Sequence, residues 1–212
     1  MREPKAAGHQ GRLVGIKAVS LMTMAVLAGC AGPSTVSVSP SQAFDKKMRV
    51  AVLDLDWSPP TGTVQSGASM ISAPNAGRYV ADSLSARLLE IGCYDVLERS
   101  RLAQLLAEKS LTQAEIVRQG RYKEIGQFLG VDYVVAGTVN TYTSWTNGFL
   151  SGHVVSFNSR CIDVRTSQVV WGLDGRVDVG PFGPIDPARG LQQILDDAIP
   201  KLKRSIQSQT ER

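Results

Sequence analysis

The sequence predicts an α+β fold, a mixed β-sheet with helices packed on it in the order β-α-β-α-α-β-β-β-α, and three observations carry that expectation. An early run, Met48-Arg49-Val50-Ala51-Val52-Leu53-Asp54-Leu55-Asp56, is apolar on both faces at its centre, as a strand in the middle of a covered sheet is. The middle of the chain alternates helix-like and strand-like patterns. The last third turns to consecutive strands and closes on one long amphipathic segment.

Each element has a local reason. After the first strand, residues 58–74 form a long loop rich in Ser, Pro and Gly; loops beyond about 12–15 residues in a compact domain tend to be functional or disordered. Val80, Leu84, Leu88 and Ile91 recur at helical spacing, and Gly92 supplies the stop. Tyr94-Asp95-Val96-Leu97-Glu98 reads as a strand, and Leu102, Leu105 and Leu106 as a short helix. Thr112-Gln113-Ala114-Glu115 fits a capping box, in which the two outer side chains satisfy each other's orphan backbone donors. Ile125, Phe128 and Leu129 give another amphipathic turn, ended by Gly130. Strands follow at 133–139 and 154–163, and Val164-Arg165-Thr166-Ser167 hands over to Gln168-Val169-Val170-Trp171 as a hairpin. Asp186-Pro187 starts a last helix that buries Leu191, Ile194, Ala198, Leu202 and Ile206, with Pro200 expected to bend it.

The N-terminus reads as an export signal. Arg2, Lys5, Arg12 and Lys17 precede an apolar run over residues 18–27, and small residues then lead to Cys30. The run is shorter than the ~20 apolar residues that cross a bilayer. Leu27-Ala28-Gly29-Cys30 reads as a lipobox, so residues 1–29 are expected to be removed and Cys30 acylated. Ala31, where Asp would favour retention at the inner membrane, points to the outer membrane with the domain facing the periplasm. Residues 30–47, rich in Ser and Pro, are expected to form a flexible tether, and residues 48–208 the periplasmic domain.

Removing the leader changes the charge balance. The formal net charge is +4, and the leader holds four basic residues against Glu3, so the mature chain is near +1. The basic character is a targeting feature, and no basic stripe interleaved with aromatics marks a nucleic-acid footprint. No Gly-rich phosphate loop occurs, so no nucleotide cofactor is expected. His153 is the one His of the mature chain, expected at the surface of a strand start, and zinc clusters and His-based triads are not expected. Asp54 and Asp56 alternate on one strand and share a face; they either approach a cation or mark the strand leaving the core. Cys93 and Cys161 either pair in the oxidising periplasm or serve as small buried apolar residues. Trp57, Trp145 with Phe149, and Phe182 either anchor a partner or act as lids over the sheet ends.

Four stretches together resemble a known family: Arg49-Val50-Ala51-Val52-Leu53-Asp54, Tyr94-Asp95-Val96-Leu97-Glu98-Arg99-Ser100-Arg101-Leu102, Leu129-Gly130-Val131-Asp132-Tyr133-Val134-Val135-Ala136-Gly137-Thr138-Val139, and Ile162-Asp163-Val164-Arg165-Thr166-Ser167-Gln168-Val169-Val170-Trp171. They look like the CsgG/HfaB family of curli-assembly and holdfast lipoproteins, whose folding unit is similar to the N-terminal domain of TolB and to the penicillin-binding-protein activator LpoB. The resemblance implies a non-enzymatic, oligomeric protein with envelope proteins as partners, and three roles: an assembly factor, a secretion channel, or a regulator of a cell-wall synthase.

The family's channel adds two long membrane-crossing hairpins and an aromatic constriction loop. A hairpin of barrel strands takes about 20 or more residues. Between Val139 and Val154 there are 14, including the turn pair Asn147-Gly148, so a short hairpin tip is expected there. Residues 172–186 carry Gly175, Gly180, Pro181, Gly183 and Pro184 and are expected to exclude regular strands. Residues 58–74 hold no aromatic. The channel is therefore not the expected role.

Overall fold

The computed structural model describes residues 31–40, 47–58, 68–108 and 112–210. They form strands β1 (Ala31–Val38), β2 (Met48–Val52), β3 (Asp56–Trp57), β4 (Ala68–Ser72), β5 (Tyr94–Val96), β6 (Tyr133–Asn147), β7 (Leu150–Asp163) and β8 (Val169–Val179). The helices are α1 (Ala76–Ile91), α2 (Arg99–Glu108), α3 (Gln113–Gln119), α4 (Tyr122–Leu129) and α5 (Pro187–Thr210). The signal segment, Cys30, and residues 41–46 and 59–67 of the expected tether and loop lie outside the described residues. Among the described residues no helix is long and apolar enough to cross a membrane.

The strands make one mixed sheet in the order β1-β8-β7-β6-β2-β5, with β3 and β4 added along β6. β2 is parallel to β5 and β6, and the pairs from β6 to β1 are antiparallel. Val50, Val52, Val135, Phe157 and Leu173 face α1 and α5 in the larger core. Ala51, Leu53, Val134 and Ala136 face α2, α3 and α4 in a smaller one. β2 and the first half of β6 thus have both faces covered, which is why their sequence is apolar without alternation. Leu84 and Leu88 of α1 are fully buried, each contributing about 1.5–3 kcal/mol by leaving water.

Several caps form as the sequence implies. Gly92 ends α1 at φ 94°, and Thr112 and Glu115 bond reciprocally, Glu115 N donating to Thr112 Oγ1 at 3.3 Å. Asp186 accepts from Ala188 N at 3.0 Å to start α5.

The structure differs from the sequence reading in five places, one being that Ala68–Ser72, expected within the long loop 58–74, forms β4 and pairs with β6 from Ala68↔Asn147 to Ser72↔Thr143. Ala31–Val38, expected as tether, pairs with β8 from Ala31↔Val177 to Val38↔Trp171. Ser34 fixes it to α5: its N and Oγ donate to Asp197 Oδ2 at 3.1 and 2.5 Å, and Lys201 Nζ donates to Ser34 O at 3.0 Å. The Lys201 and Ser34 hydrogen bonds hold the Asp197 carboxyl below its ordinary range.

β6 and β7 run well beyond 133–139 and 154–163, because a register shift between Val139 and Thr141 switches the alternation; Val139 and Tyr142 both face the larger core. β8 passes through Gly172 and Gly175, where a strand was not expected. A Cβ on Gly175 would stand 2.1 Å from Ile194 Cγ2, so this glycine admits α5 against the sheet and does not break the strand. His153 is fully buried, under α5, and its Nδ1 bonds Pro184 O at 2.7 Å.

Candidate functional site

The residues singled out in the sequence do not converge on a catalytic pocket. Cys30 lies outside the described residues and is bonded to Ala31, the first residue of β1. Trp57 is half-buried: it packs on the larger core and donates Nε1–H to Ala73 O at 2.9 Å. Trp145 is half-buried opposite Gly152 on β7, and a Cβ on Gly152 would be 2.8 Å from its ring. The aromatic thus fills the space that the glycine leaves on the neighbouring strand.

Phe149 is different. It is 84% exposed in the turn between β6 and β7, and its ring stacks not on Trp145 but on Phe182, 76% exposed, with centroids 6.1 Å apart and planes at 26°.

Phe182 is placed with care. Its φ is 69°, in the left-handed region that costs a side-chain-bearing residue on the order of 1–2 kcal/mol. The loop around it is tied to β7: Gly183 N donates to Ser151 O at 3.2 Å, Ser151 Oγ donates to Gly183 O at 3.0 Å, and His153 holds Pro184. Ile185, Met70 and Ile71 are each more than half exposed, so among the described residues most of the large exposed apolar side chains gather at this end of the sheet.

One signal in the sequence marks the same end. Residues 57–77, 133–159 and 179–185 contain no Asp, Glu, Lys or Arg, 21, 27 and 7 residues in turn, in a chain that is 20% charged. Core burial accounts for the inner parts of these segments. It does not account for exposed Ser69, Asn147, Pro181 and Pro184, which bear no charge although they meet solvent. Single-residue motif searches miss this, because the three segments are far apart in the chain.

The other ionisable groups serve the fold. Arg99, of the Glu98-Arg99-Ser100 stretch, bridges Asp54 and Asp82 and so ties α2 to β2 and α1. Asp56 is exposed and apart from that cluster, and among the described residues no group of three or more His, Cys, Asp or Glu is placed to hold a metal. Cys93 and Cys161 are free thiols, both pushed up by burial, with Cys161 inside the larger core. Tyr133 is pushed up to about 12, chiefly by burial. Tyr94 is raised further for the same reason, and accepts from Trp171 Nε1–H at 2.9 Å. A cleft of about 500 Å³ between Asp54, Trp57, Arg78 and Gln113 is an open groove beside the start of α1.

A mixed sheet with a two-sided helical cover and an aromatic end is the fold of an envelope lipoprotein. The family model described as curli production assembly/transport component CsgG matches residues 32–175, and the chain belongs to that family. No curated protein sequence matches the chain.

Among solved structures, lipoprotein GNA1162 from Neisseria meningitidis is similar with a TM-score of 0.56 at 18% identity, over 74% of this chain and 99% of that one. A PelC dodecamer from Paraburkholderia phytofirmans gives 0.49 at 17% identity, over 78% and 96%. The LpoB C-terminal domain from Salmonella enterica gives 0.39 at 13%, over 62% and 83%. At such identities the likeness concerns the fold.

Proposed function

We propose that this chain is a lipoprotein acylated on Cys30 and held in the outer membrane facing the periplasm. It works without catalysis, by binding envelope proteins and its own copies during envelope or surface-fibre assembly. The family match carries this reading: it begins at residue 32, directly behind a cysteine that closes a lipobox. Mass spectrometry of the N-terminal peptide tests the anchor. An acylated Cys30 is expected, and Cys30→Ala should leave the chain unprocessed; an unmodified wild-type chain in the soluble fraction would sink it. Crosslinking in intact envelopes followed by co-purification tests association, and a lipoprotein that recovers neither itself nor another envelope protein would refute that half.

The channel role is disfavoured by the hairpin. Thr143, Gly152 and His153 are buried in the domain, so only Ser144 to Asn147 and Leu150 to Ser151 project beyond it, against about 9–11 residues for a spanning strand. A regulator that reaches across the periplasm needs a long tether, and here β1 takes that segment into the sheet.

A further inference from the structure

We propose that the charge-free end of the sheet dips into the lipid surface, with the stacked rings of Phe149 and Phe182 as its leading edge. This rests on the lipid anchor at Cys30.

The position of the anchor is the first argument. Ala31 pairs with Val177, and Cys30 is bonded to Ala31, about 3.8 Å away from Cα to Cα. Acylation therefore pins the membrane near the level of Val177 and its neighbours. Arg176 and Asp178 sit at that level, ion-paired at 3.2 Å and exposed, where they meet headgroups and water. Beyond it the described residues carry no charge: β8 ends at Val179 and the uncharged loop 180–185 follows, β7 and β6 close through Phe149, and β4 lies alongside β6.

The second argument is what this end exposes. Phe149, Phe182, Ile185, Met70 and Ile71 face solvent, and half-buried Trp145 stands among uncharged polar residues. Aromatic rings with polar, uncharged neighbours suit the boundary between headgroups and acyl chains. A protein-binding patch has an apolar centre with a polar rim all round it. Here the order runs along the strand axis instead: aromatic tip, uncharged belt, then charge at the level of the anchor.

Depth is consistent with contact and not with crossing. Val154 pairs with Asp178, and Phe149 lies five residue steps before Val154, roughly 17 Å of strand. That exceeds the 5–10 Å of an interfacial segment and falls well short of the ~30 Å hydrocarbon core. A tilted sheet brings the tip to the acyl boundary.

The test uses the mature lipoprotein, purified from membranes and reconstituted into phosphatidylethanolamine–phosphatidylglycerol vesicles with brominated acyl chains, which quench Trp emission on contact. Phe149→Trp should lose emission beyond the wild-type background from Trp57, Trp145 and Trp171. Val169→Trp, at the opposite end of β8, should not. Mass spectrometry of the N-terminal peptide reports the anchor separately. An acylated protein whose Phe149→Trp signal is no more quenched than Val169→Trp overturns the membrane contact and leaves the anchor standing. An unacylated chain overturns the anchor and the contact that depends on it. If Phe149→Asp with Phe182→Asp abolishes self-association and quenching is absent, the end is a protein interface and the proposal falls.

Discussion

The two ends of the central sheet are built on opposite plans. Around β2 and the start of β6, helices cover both faces, and the surrounding surface carries Arg49, Asp95, Arg99, Arg121 and Glu124 in ion pairs. Around the β6–β7 turn the described residues form no second helical layer and carry no charge, and a pair of phenylalanines meets solvent. The covered end secures the fold, and the uncovered end is free to meet something else. Arg99 and Phe149 show the contrast at single residues: one joins α2 to α1 and to Asp54 just after β2, the other stacks on Phe182 in solvent.

The sharpest way to break that contrast is to place one charge at each end. Val52→Asp buries an unpaired carboxylate in the covered sheet and should cost several kcal/mol, enough to unfold the domain by circular dichroism. Phe149→Asp, at an exposed turn, should leave the denaturation midpoint within about 0.5 kcal/mol of wild type. Equal effects at the two positions would mean the ends are not distinct.

Next in size is Gly175→Val, which sets a side chain against Ile194 and should cost about 1–3 kcal/mol in urea denaturation. A neutral result would show that α5 does not sit as close to β8 as described.

The smallest effect concerns β1. Asp197 has its pKa lowered in the fold, so the stability it contributes is present above the ordinary carboxylate value of 3.8 and lost as pH falls through the lowered one. Its side chain is largely exposed, and the contribution is about 0–1 kcal/mol. The Ser34 amide, which donates to this carboxylate, should shift in NMR spectra below pH 3.8, and Asp197→Asn should abolish that titration. An unchanged titration would place the acid partner of β1 elsewhere.

Much of the covered end was legible in the sequence. The stripe Val80, Leu84, Leu88, Ile91 has one physical solution, and so do the Gly92 stop, the Thr112–Glu115 box and the apolar run at β2. What escaped depends on contacts between distant segments. β1 is polar and Ser-rich and reads as tether because its stability comes from β8 and from Asp197 and Lys201 on α5. β8 reads as broken because Gly175 has meaning only once Ile194 lies against it. His153 reads as surface because burial under α5 was invisible, and Phe149 was matched with the nearer Trp145 when its partner is Phe182, 33 residues away. The family, by contrast, was legible from short local stretches, Gly130-Val131-Asp132-Tyr133 among them, since those sit where the sheet's central strands begin.

The pairing of β1 with β8 has a mechanical consequence. A lipoprotein on a slack leader is a buoy on a rope, free to tumble and to sweep a volume. On the proposed acylation of Cys30, whose next residue is already zipped into the sheet, the rope would have no slack and the domain would stand as a mast stepped into the hull. Its bearing toward the bilayer would then be set by strand geometry rather than by diffusion, so every copy would present the same flank at the same height. Identical copies confined to two dimensions with one shared heading give up far less rotational freedom when they line up side by side.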